Sequence, residues 1–205
     1  MPSRGFTLIE VVFAASILAV GICVLFGVSL KLDNTARELT AQSLAYQDGR
    51  RALDGILKEV RQATGASLSV VPGPVLEYRI PADLDGNGLA LDAGGNVELS
   101  GVHVIGRDYE DANADGLAHT QLVLLGGDRV QVLANGLVPD EDINDNGVLD
   151  PGEDENANGR LDRGVWFEPA GSGVRVTVQV VRRSRGGNMG HSFVANLNQV
   201  IIPRN

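Results

Sequence analysis

The first thirty residues combine one carboxylate with a long apolar run. Glu10 is followed by 20 residues without charge, from Val11 to Leu30. A helix of that length is about 30 Å long, which matches the hydrocarbon core of a bilayer, so the run predicts a membrane-spanning helix. A carboxylate at the head of such a helix is costly in lipid and therefore needs a partner.

After the apolar run the pattern becomes amphipathic. Apolar residues recur mainly at intervals of three and four, at Leu32, Leu39, Leu44, Leu53, Ile56, Leu57, Val60 and Ala63. This spacing is typical of a helix with one buried face. Gly49 and Gly55 weaken the helix, and Gly65 is the residue type at which helices end. We therefore expect one long helix, with residues 6–30 in lipid and residues 31–65 packed on a domain.

From residue 66 to residue 205 the pattern is that of a β-rich domain. Short β-branched runs alternate with Gly, Pro, Asn and Asp, at residues 67–71, 74–80, 96–106, 120–126, 128–134, 164–169, 173–183 and 191–203. Valines alternate with polar residues in 173–183, which indicates a half-buried strand, and the turn residues Gly186-Gly187-Asn188 predict a hairpin to the last run. The predicted fold class is α+β, with an antiparallel sheet packed on the second half of the helix.

The segment Gly5-Phe6-Thr7-Leu8-Ile9-Glu10 precedes and enters the apolar run. It resembles the type IV prepilin signal, in which a very short leader ends at a glycine. The resemblance implies that residues 1–5 are a leader, that a membrane peptidase cleaves between Gly5 and Phe6, and that the new amine of Phe6 is methylated. It also implies a pilin-like fold. The alternative is an ordinary secretory signal, cleaved after Gly27-Val28-Ser29.

The same resemblance suggests a role for Glu10. Every mature subunit would carry a charged amine at Phe6, four residues before Glu10. In a growing filament, the Glu10 carboxylate of an incoming subunit can neutralise the Phe6 amine of a subunit already in place, which fixes one axial register. Glu10 is therefore the candidate assembly residue, and the alternative is a carboxylate that merely reaches the membrane surface.

Two weaker resemblances concern the type of subunit. The segment RALDGILKEVRQA at 51–63 and the terminal VIIPRN resemble W-type minor pilins and the J-type minor pseudopilin of type II secretion. Major pilins usually have a C-terminal disulfide loop and a proline about 22 residues into the mature chain. Here Cys23 is the one cysteine, and Gly27 stands where that proline would be. The resemblance thus implies a minor subunit that initiates or caps a type IV pilus or a secretion pseudopilus.

The membrane-spanning run and the resemblance together define location and partners. They imply a single-pass protein of the bacterial inner membrane with a periplasmic C-terminal domain, which later enters a filament and can reach the cell surface. Its partners would be other pilins or pseudopilins and the prepilin peptidase.

Four acidic segments share the pattern D-x-[DN]-x-[DN]-G. They are Asp83-Leu-Asp85-Gly-Asn87-Gly88, Asp111-Ala-Asn113-Ala-Asp115-Gly116, Asp142-Ile-Asn144-Asp-Asn146-Gly147 and Asp154-Glu-Asn156-Ala-Asn158-Gly159. Composition alone would produce about 0.04 copies of this pattern in the chain. Oxygens at positions 1, 3 and 5 and a glycine at position 6 are typical of calcium loops, so we expect calcium as a structural cofactor. The alternative is that Asx-Gly segments are simply turns.

The copies differ in how complete a ligand set they offer. The third copy offers Asp142, Asn144, Asn146, the Val148 carbonyl, Asp150 and Glu153, and the fourth offers Asp154, Asn156, Asn158 and Asp162, so residues 142–162 form the strongest candidate. The second copy (111–119) offers Asp111, Asn113, Asp115 and His119, and the first (83–92) offers Asp83, Asp85 and Asn87. Both earlier copies lack the acid at position 12.

Charge and motif content separate the remaining function classes. Residues 140–162 hold nine acids and one arginine, which is 9 − 1 = 8 of the net −9, so the charge argues against nucleic-acid binding. Isolated histidines without a neighbouring nucleophile indicate that the protein is not an enzyme. A pilus-borne adhesin or DNA-uptake subunit, with Arg182, Arg183 and Arg185 as its basic turn, remains an alternative to a structural subunit.

Overall fold

The computed structural model describes residues 7–127, 129–144, 146–154, 159–183 and 192–203. One long helix, α1 (Leu8–Val60), precedes a 3-10 turn at Gly65–Ser67. The strands are β1 (Leu68–Ser69), β2 (Val75–Tyr78), β3 (His103–Arg107), β4 (Gln121–Gly126), β5 (Arg129–Asn135), β6 (Val165–Ala170), β7 (Gly173–Arg183) and β8 (Ser192–Ile201). A long apolar N-terminal helix with antiparallel sheets confirms the predicted α+β fold.

The first half of α1 has no packing partner within the described part of the chain. Every residue from Leu8 to Arg37 is exposed, including the whole uncharged run. The helix is long and apolar enough to cross a membrane by length and composition. With 53 residues, α1 extends over about 80 Å, far more than the globular part can cover.

The second half of α1 packs on β5, β7 and β8 along a stripe of mostly small residues. The buried helix residues are Ala41, Ala45, Gly49, Ala52, Leu53, Ile56 and Val60. The predicted burial of Leu53, Ile56 and Val60 is thus confirmed. In contrast, Leu32, Leu39 and Leu44 are 65%, 61% and 45% exposed. The buried stripe has alanines and a glycine instead of these leucines, because the sheet lies close to the helix backbone there.

Gly49 lies at a point of close approach. A Cβ atom at this position would collide with Cδ1 of Leu197 on β8. The glycine, which weakens the helix by itself, therefore makes room for a strand residue. At Gly55 a Cβ atom would lie 3.3 Å from Cδ2 of Leu133 on β5, a less severe contact.

The helix ends five residues before the predicted boundary at 65. Arg61 is its C-cap, and its N–H donates to the Leu57 carbonyl at 3.1 Å. The chain then turns so that Ala63, 1% exposed, enters the core. Gly65 consequently begins the 3-10 turn and does not terminate the helix.

The strands form two antiparallel sheets, where the sequence predicted one. Strands β1 to β5 lie in sequence order in a five-stranded sheet, and β6, β7 and β8 form the second. Isolated bridges from Gly73 to Phe167 and from Leu137 to Val180 link the two sheets. The predicted strand over 96–106 begins only at His103, since the preceding part makes isolated bridges.

Strands β7 and β8 confirm the predicted hairpin. They pair from Val174 with Ile201 to Arg183 with Ser192. The alternating valines of β7, at positions 174, 176, 178 and 180, are fully buried, as their spacing predicts. The predicted turn at 186–188 lies outside the described residues. These two strands carry most of the contact with α1.

Arg107, the last residue of β3, joins three segments of the domain. Its side chain is 5% exposed, and its guanidinium donates to the carbonyls of Val138 (2.7 Å), Arg163 (2.9 Å) and His119. Gly164 leaves the space for it, because a Cβ atom there would collide with Nη2. Arg107 thereby links the second acidic segment, which ends at His119, to the chain before the third segment, at Val138, and after the fourth segment, at Arg163.

We expect Gly49→Val to destabilise the domain by about 1–3 kcal/mol, because the new side chain must displace Leu197. Unfolding of the full chain in detergent micelles by urea measures the difference. Gln42→Val is the control, since Gln42 is exposed on the same part of α1 and should lose only helix propensity, within about 0.5 kcal/mol. Equal losses for both variants would contradict the close-approach explanation.

Replacing Arg107 by methionine should lower the free energy of unfolding by about 3 kcal/mol, because buried carbonyls lose their donor. Arg129→Met removes an exposed arginine at the start of β5 and is the control, with an expected change within about 0.5 kcal/mol. Thermal unfolding of both variants checks this. A loss for Arg107→Met no larger than the control would show that the three segments are held together by other contacts.

Candidate functional site

The first turn of α1 is closed by a reciprocal pair of hydrogen bonds between Thr7 and Glu10. Thr7 is the N-cap, and its Oγ1 accepts the Glu10 N–H at 3.4 Å. In return, Oε2 of Glu10 accepts the Thr7 N–H at 2.9 Å and the Thr7 hydroxyl at 3.0 Å. This capping box satisfies backbone donors that a helix start leaves without partners. The Glu10 carboxylate is therefore held at the first turn.

The surroundings of Glu10 leave it accessible to a second molecule. The residue is exposed and stands at the head of the exposed apolar half of α1. Its hydrogen bonds within the described residues involve Thr7 of its own chain, whose N–H remains an amide when residues 1–5 are removed. The predicted cleavage position between Gly5 and Phe6 lies outside the described residues. The site can present a carboxylate at a helix N-terminus, where the helix dipole also favours it.

The acidic segments share one backbone feature at position 6. Their glycines at position 6 are Gly88, Gly116, Gly147 and Gly159, with φ angles of +83°, +78°, +80° and +69°. In each segment the N–H of this glycine donates to the carboxylate of the first aspartate, at distances from 2.8 to 3.1 Å. A positive φ is the backbone conformation that glycine adopts without strain, which accounts for a glycine at position 6 of all four segments.

Positions 3 and 5 continue this pattern in the first three segments. The side-chain oxygens of Asp85, Asn113 and Asn144 at position 3 accept the N–H of position 5. Those at position 5 accept the N–H of position 7 at 2.7 to 2.9 Å. The oxygens at positions 1, 3 and 5 are thus turned toward the loop's own backbone, on its inner side.

The first loop gains an acid that the repeat pattern does not contain. Oxygens of Asp83, Asp85 and Glu98 lie within 4.8 Å of one another. Glu98 is brought there by bridges between Pro81 and Leu99 and between Leu91 and Val97, and its Oε2 accepts the Leu84 N–H at 2.6 Å. An all-oxygen set of this kind suits a hard cation. Sequence spacing could not reveal Glu98, because it lies outside the loop.

Asp83 is held in its charged form by the backbone of its own loop. Hydrogen bonds from the backbone N–H of Gly88 lower the pKa of Asp83 most, and those from Gly86 and Asn87 add to this. The lowered pKa means that the carboxylate is charged at neutral pH, which a metal ligand requires. Asn87 completes the first loop by accepting the Leu89 N–H through its Oδ1 at 2.7 Å.

The second loop is held by Gln121 of β4. Its Nε2 donates to Oδ2 of Asp115 at 2.7 Å, and its Oε1 accepts from Nδ2 of Asn113 at 2.9 Å. The Gln121 bond is the main reason that the pKa of Asp115 is lowered. His119, a predicted ligand, packs edge-on against Tyr109 at 5.6 Å between ring centroids. Asp111 accepts the N–H groups of Asp115 and Gly116.

In the third loop the first aspartate, Asp142, forms an ion pair with Arg163. Asp142 is 3% exposed, and its Oδ2 lies 2.8 Å from Nη2 of Arg163. Oδ1 of Asp142 accepts the Asn146 N–H at 2.9 Å. The guanidinium is a cation bound where the predicted ion would bind, so this carboxylate is placed to receive positive charge.

Asp150 and Glu153 of the third loop accept hydrogen bonds from amide groups. Oδ2 of Asp150 accepts from Nδ2 of Asn144 and of Asn146 at 2.9 and 2.7 Å, which lowers the pKa of Asp150. Glu153, 6% exposed, accepts the N–H groups of Ile143 (3.2 Å) and Asp150 (2.9 Å). Among the described residues, a set of three acids whose oxygens lie within 4.8 Å of one another occurs in the first loop and not in the third. To bind calcium at the third loop, Glu153 would therefore have to give up its hydrogen bonds from these two backbone N–H groups.

The fourth loop is described only in part. Oδ2 of Asp154 accepts the Gly159 N–H at 2.9 Å, while Asn156 and Asn158 lie outside the described residues. Asp162, 4% exposed, accepts from Nε2 of Gln179 on β7 at 3.0 Å, and its N–H donates to Glu141 at 3.2 Å. Asp162 is thus attached to the second sheet.

Comparisons with known proteins concern the N-terminus. Residues 1–26 match the family model of the prokaryotic N-terminal methylation motif. No curated protein and no solved structure matches the chain. The matched residues include Glu10 and most of the apolar run of α1. The motif supports a type IV pilin-like protein, with processing by a prepilin peptidase and assembly with other pilins.

Proposed function

We propose that the protein is a minor pilin or pseudopilin, a structural subunit that initiates or caps a type IV pilus or a type II secretion pseudopilus. The observation that carries the proposal is the methylation motif at residues 1–26, which leads directly into a continuous helix of 53 residues. A discarded signal peptide would not need to continue into the core helix of the domain. α1 does so, since its second half is buried against β7 and β8.

The exposed half of α1 supports assembly. Apolar residues on all sides from Leu8 to Leu30 cannot remain in water, because they form far more contiguous apolar surface than soluble monomers expose. Lipid covers them while the subunit is in the inner membrane. In a filament, the same segments of neighbouring subunits cover one another, and the β-rich part, periplasmic before assembly, lies outside.

Glu10 supplies the register in this assembly. Its carboxylate binds the methylated amine of Phe6 on the neighbouring subunit, so that two charges in an apolar bundle cancel. The capping box holds the carboxylate at the first helical turn before this contact forms.

Calcium serves the protein as a structural cofactor of the loops at 83–92, 111–119 and 142–162. Support comes from the repeated backbone geometry, the oxygen ligands and the density of acids. An ion at each loop offsets repulsion among the carboxylates of that loop. Glu98 joins Asp83, Asp85 and Asn87 in the first of these sites.

Glu10→Gln should leave cleavage and methylation intact and reduce incorporation into sheared filaments by about tenfold or more, because one partner of an apolar ion pair is lost. Mass spectrometry of the mature N-terminus and immunoblots of filament and membrane fractions measure the two steps. Thr7→Ala removes the N-cap hydroxyl and keeps the carboxylate, so it is the control and should assemble. Normal incorporation of the Glu10 variant would refute the register role.

Calcium should raise the melting temperature of the full chain in detergent micelles and protect residues 142–162 from proteolysis, at concentrations up to about 10⁻³ M. Glu98→Gln should weaken calcium binding at the first loop, as isothermal calorimetry measures. Glu77→Gln, at an exposed position of β2, removes the same charge and should leave the binding unchanged. If calcium alters neither melting nor proteolysis, the structural cofactor is refuted while the assembly role stands.

A further inference from the structure

Arg163 connects the third acidic loop to the second sheet. Its Nη2 lies 2.8 Å from Oδ2 of Asp142, and the two side chains are 16% and 0% exposed. A nearly buried ion pair of this kind costs desolvation, and breaking it by removing one partner leaves a charge without compensation. Arg163 therefore compensates the charge of the carboxylate at the first ligand position of this loop.

The guanidinium of Arg163 is enclosed on two further sides. It stacks on the ring of Trp166, with Cζ at 3.7 Å from the ring centroid, which is the geometry of a cation–π contact. On the loop side, a Cβ atom at Gly147 would lie 2.9 Å from Nη2. The position 6 glycine of the third loop thus makes room for the arginine, in addition to allowing the positive φ.

The backbone of Arg163 is fixed, but its side chain has space to move. The Arg163 N–H donates to Oε1 of Gln179 at 2.8 Å, and its carbonyl accepts from Arg107 at 2.9 Å. An open cavity of about 270 Å³ adjoins the guanidinium and is lined in part by Trp166, Glu168 and Gln179. The guanidinium can leave Asp142 for this cavity while its backbone stays in place.

A calcium ion and this guanidinium compete for the Asp142 carboxylate. Calcium binds carboxylate oxygens at about 2.3–2.6 Å, and a second cation in contact with the same carboxylate repels it strongly. Calcium binding at the third loop is therefore weakened while Arg163 stays on Asp142. The first loop differs, because its exposed Asp83 lies beside Asp85 and Glu98, two further acids.

We propose that Arg163 is the built-in competitor of calcium at the third loop: it neutralises Asp142 when the ion is absent and thereby sets the calcium affinity of that loop. The inference rests on the proposed calcium site at 142–153. It adds that this site is weakened by an arginine of its own chain, and that calcium binding moves the guanidinium away from Trp166.

The experiment uses the full chain in detergent micelles with terbium(III) as the probe. Terbium binds the oxygen ligands of calcium sites and luminesces when a nearby tryptophan absorbs light, and Trp166 is the one tryptophan of the chain. Trp166 lines the same cavity as Asn146 and Gly147, so the signal reports the third loop. Calcium is then added to displace the terbium. The calcium affinity of that loop is calculated from the displacement curve and from the terbium affinity measured for the same variant.

Arg163→Gln should increase the calcium affinity about tenfold or more, because the competitor is gone. Arg175→Gln is the matched control, since Arg175 pairs with Glu168 on the same sheet at 3.3 Å and is exposed. It removes the same charge and should change the affinity by less than about threefold. An unchanged or weaker affinity of Arg163→Gln, or equal gains in both variants, overturns the proposal.

Two further measurements test the proposal if Arg163→Gln fails to fold. Arg163→Lys keeps the charge and should stay near the wild-type affinity. In the wild-type chain, calcium should shift the emission of Trp166 as the guanidinium leaves the ring, and calorimetric binding at the third loop without such a shift overturns the proposal. If no variant sensitises terbium or binds calcium, the proposed site itself is refuted, and the competitor role falls with it.

Discussion

Burial of one stripe of α1 against β7 and β8 holds the globular part of the chain to its apolar segment. The stripe begins with small residues, Ala41, Ala45 and Gly49, so the strands lie close to the helix backbone. Close approach gives dense packing over a narrow contact. The rest of the domain is built outward from this contact, because β6 pairs with β7 and the five-stranded sheet meets α1 at β5.

The second constraint is charge. Acids are concentrated in the loops, and a fold that gathers them must supply positive charge or N–H groups. Backbone amides do much of this, since each first aspartate accepts the glycine N–H at position 6 of its loop. Two arginines contribute in different ways: Arg107 binds carbonyls that flank the loops, and Arg163 binds the carboxylate of Asp142 directly.

Local signals predicted the elements that depend on local chemistry. One long N-terminal helix, the valine alternation of β7 and the turn at each position 6 glycine follow from period, propensity and the freedom of glycine at positive φ. Burial in α1 was predicted less well, because Leu39 and Leu44 suit a buried face as well as alanine does. Which face of α1 is buried depends on how closely β8 approaches the helix. In the sequence, only Gly49 indicated this close approach.

By itself, the sequence determined the long apolar run, the N-terminal methylation motif with Glu10 and the four acidic segments, since each consists of consecutive residues. The tertiary structure decided the division into two sheets and the partners of the loops. Glu98 reaches the first loop through strand bridges, and Arg163 reaches Asp142 from beyond the fourth loop. Such contacts arise when distant segments pair, and residue spacing along the chain carries no record of that geometry.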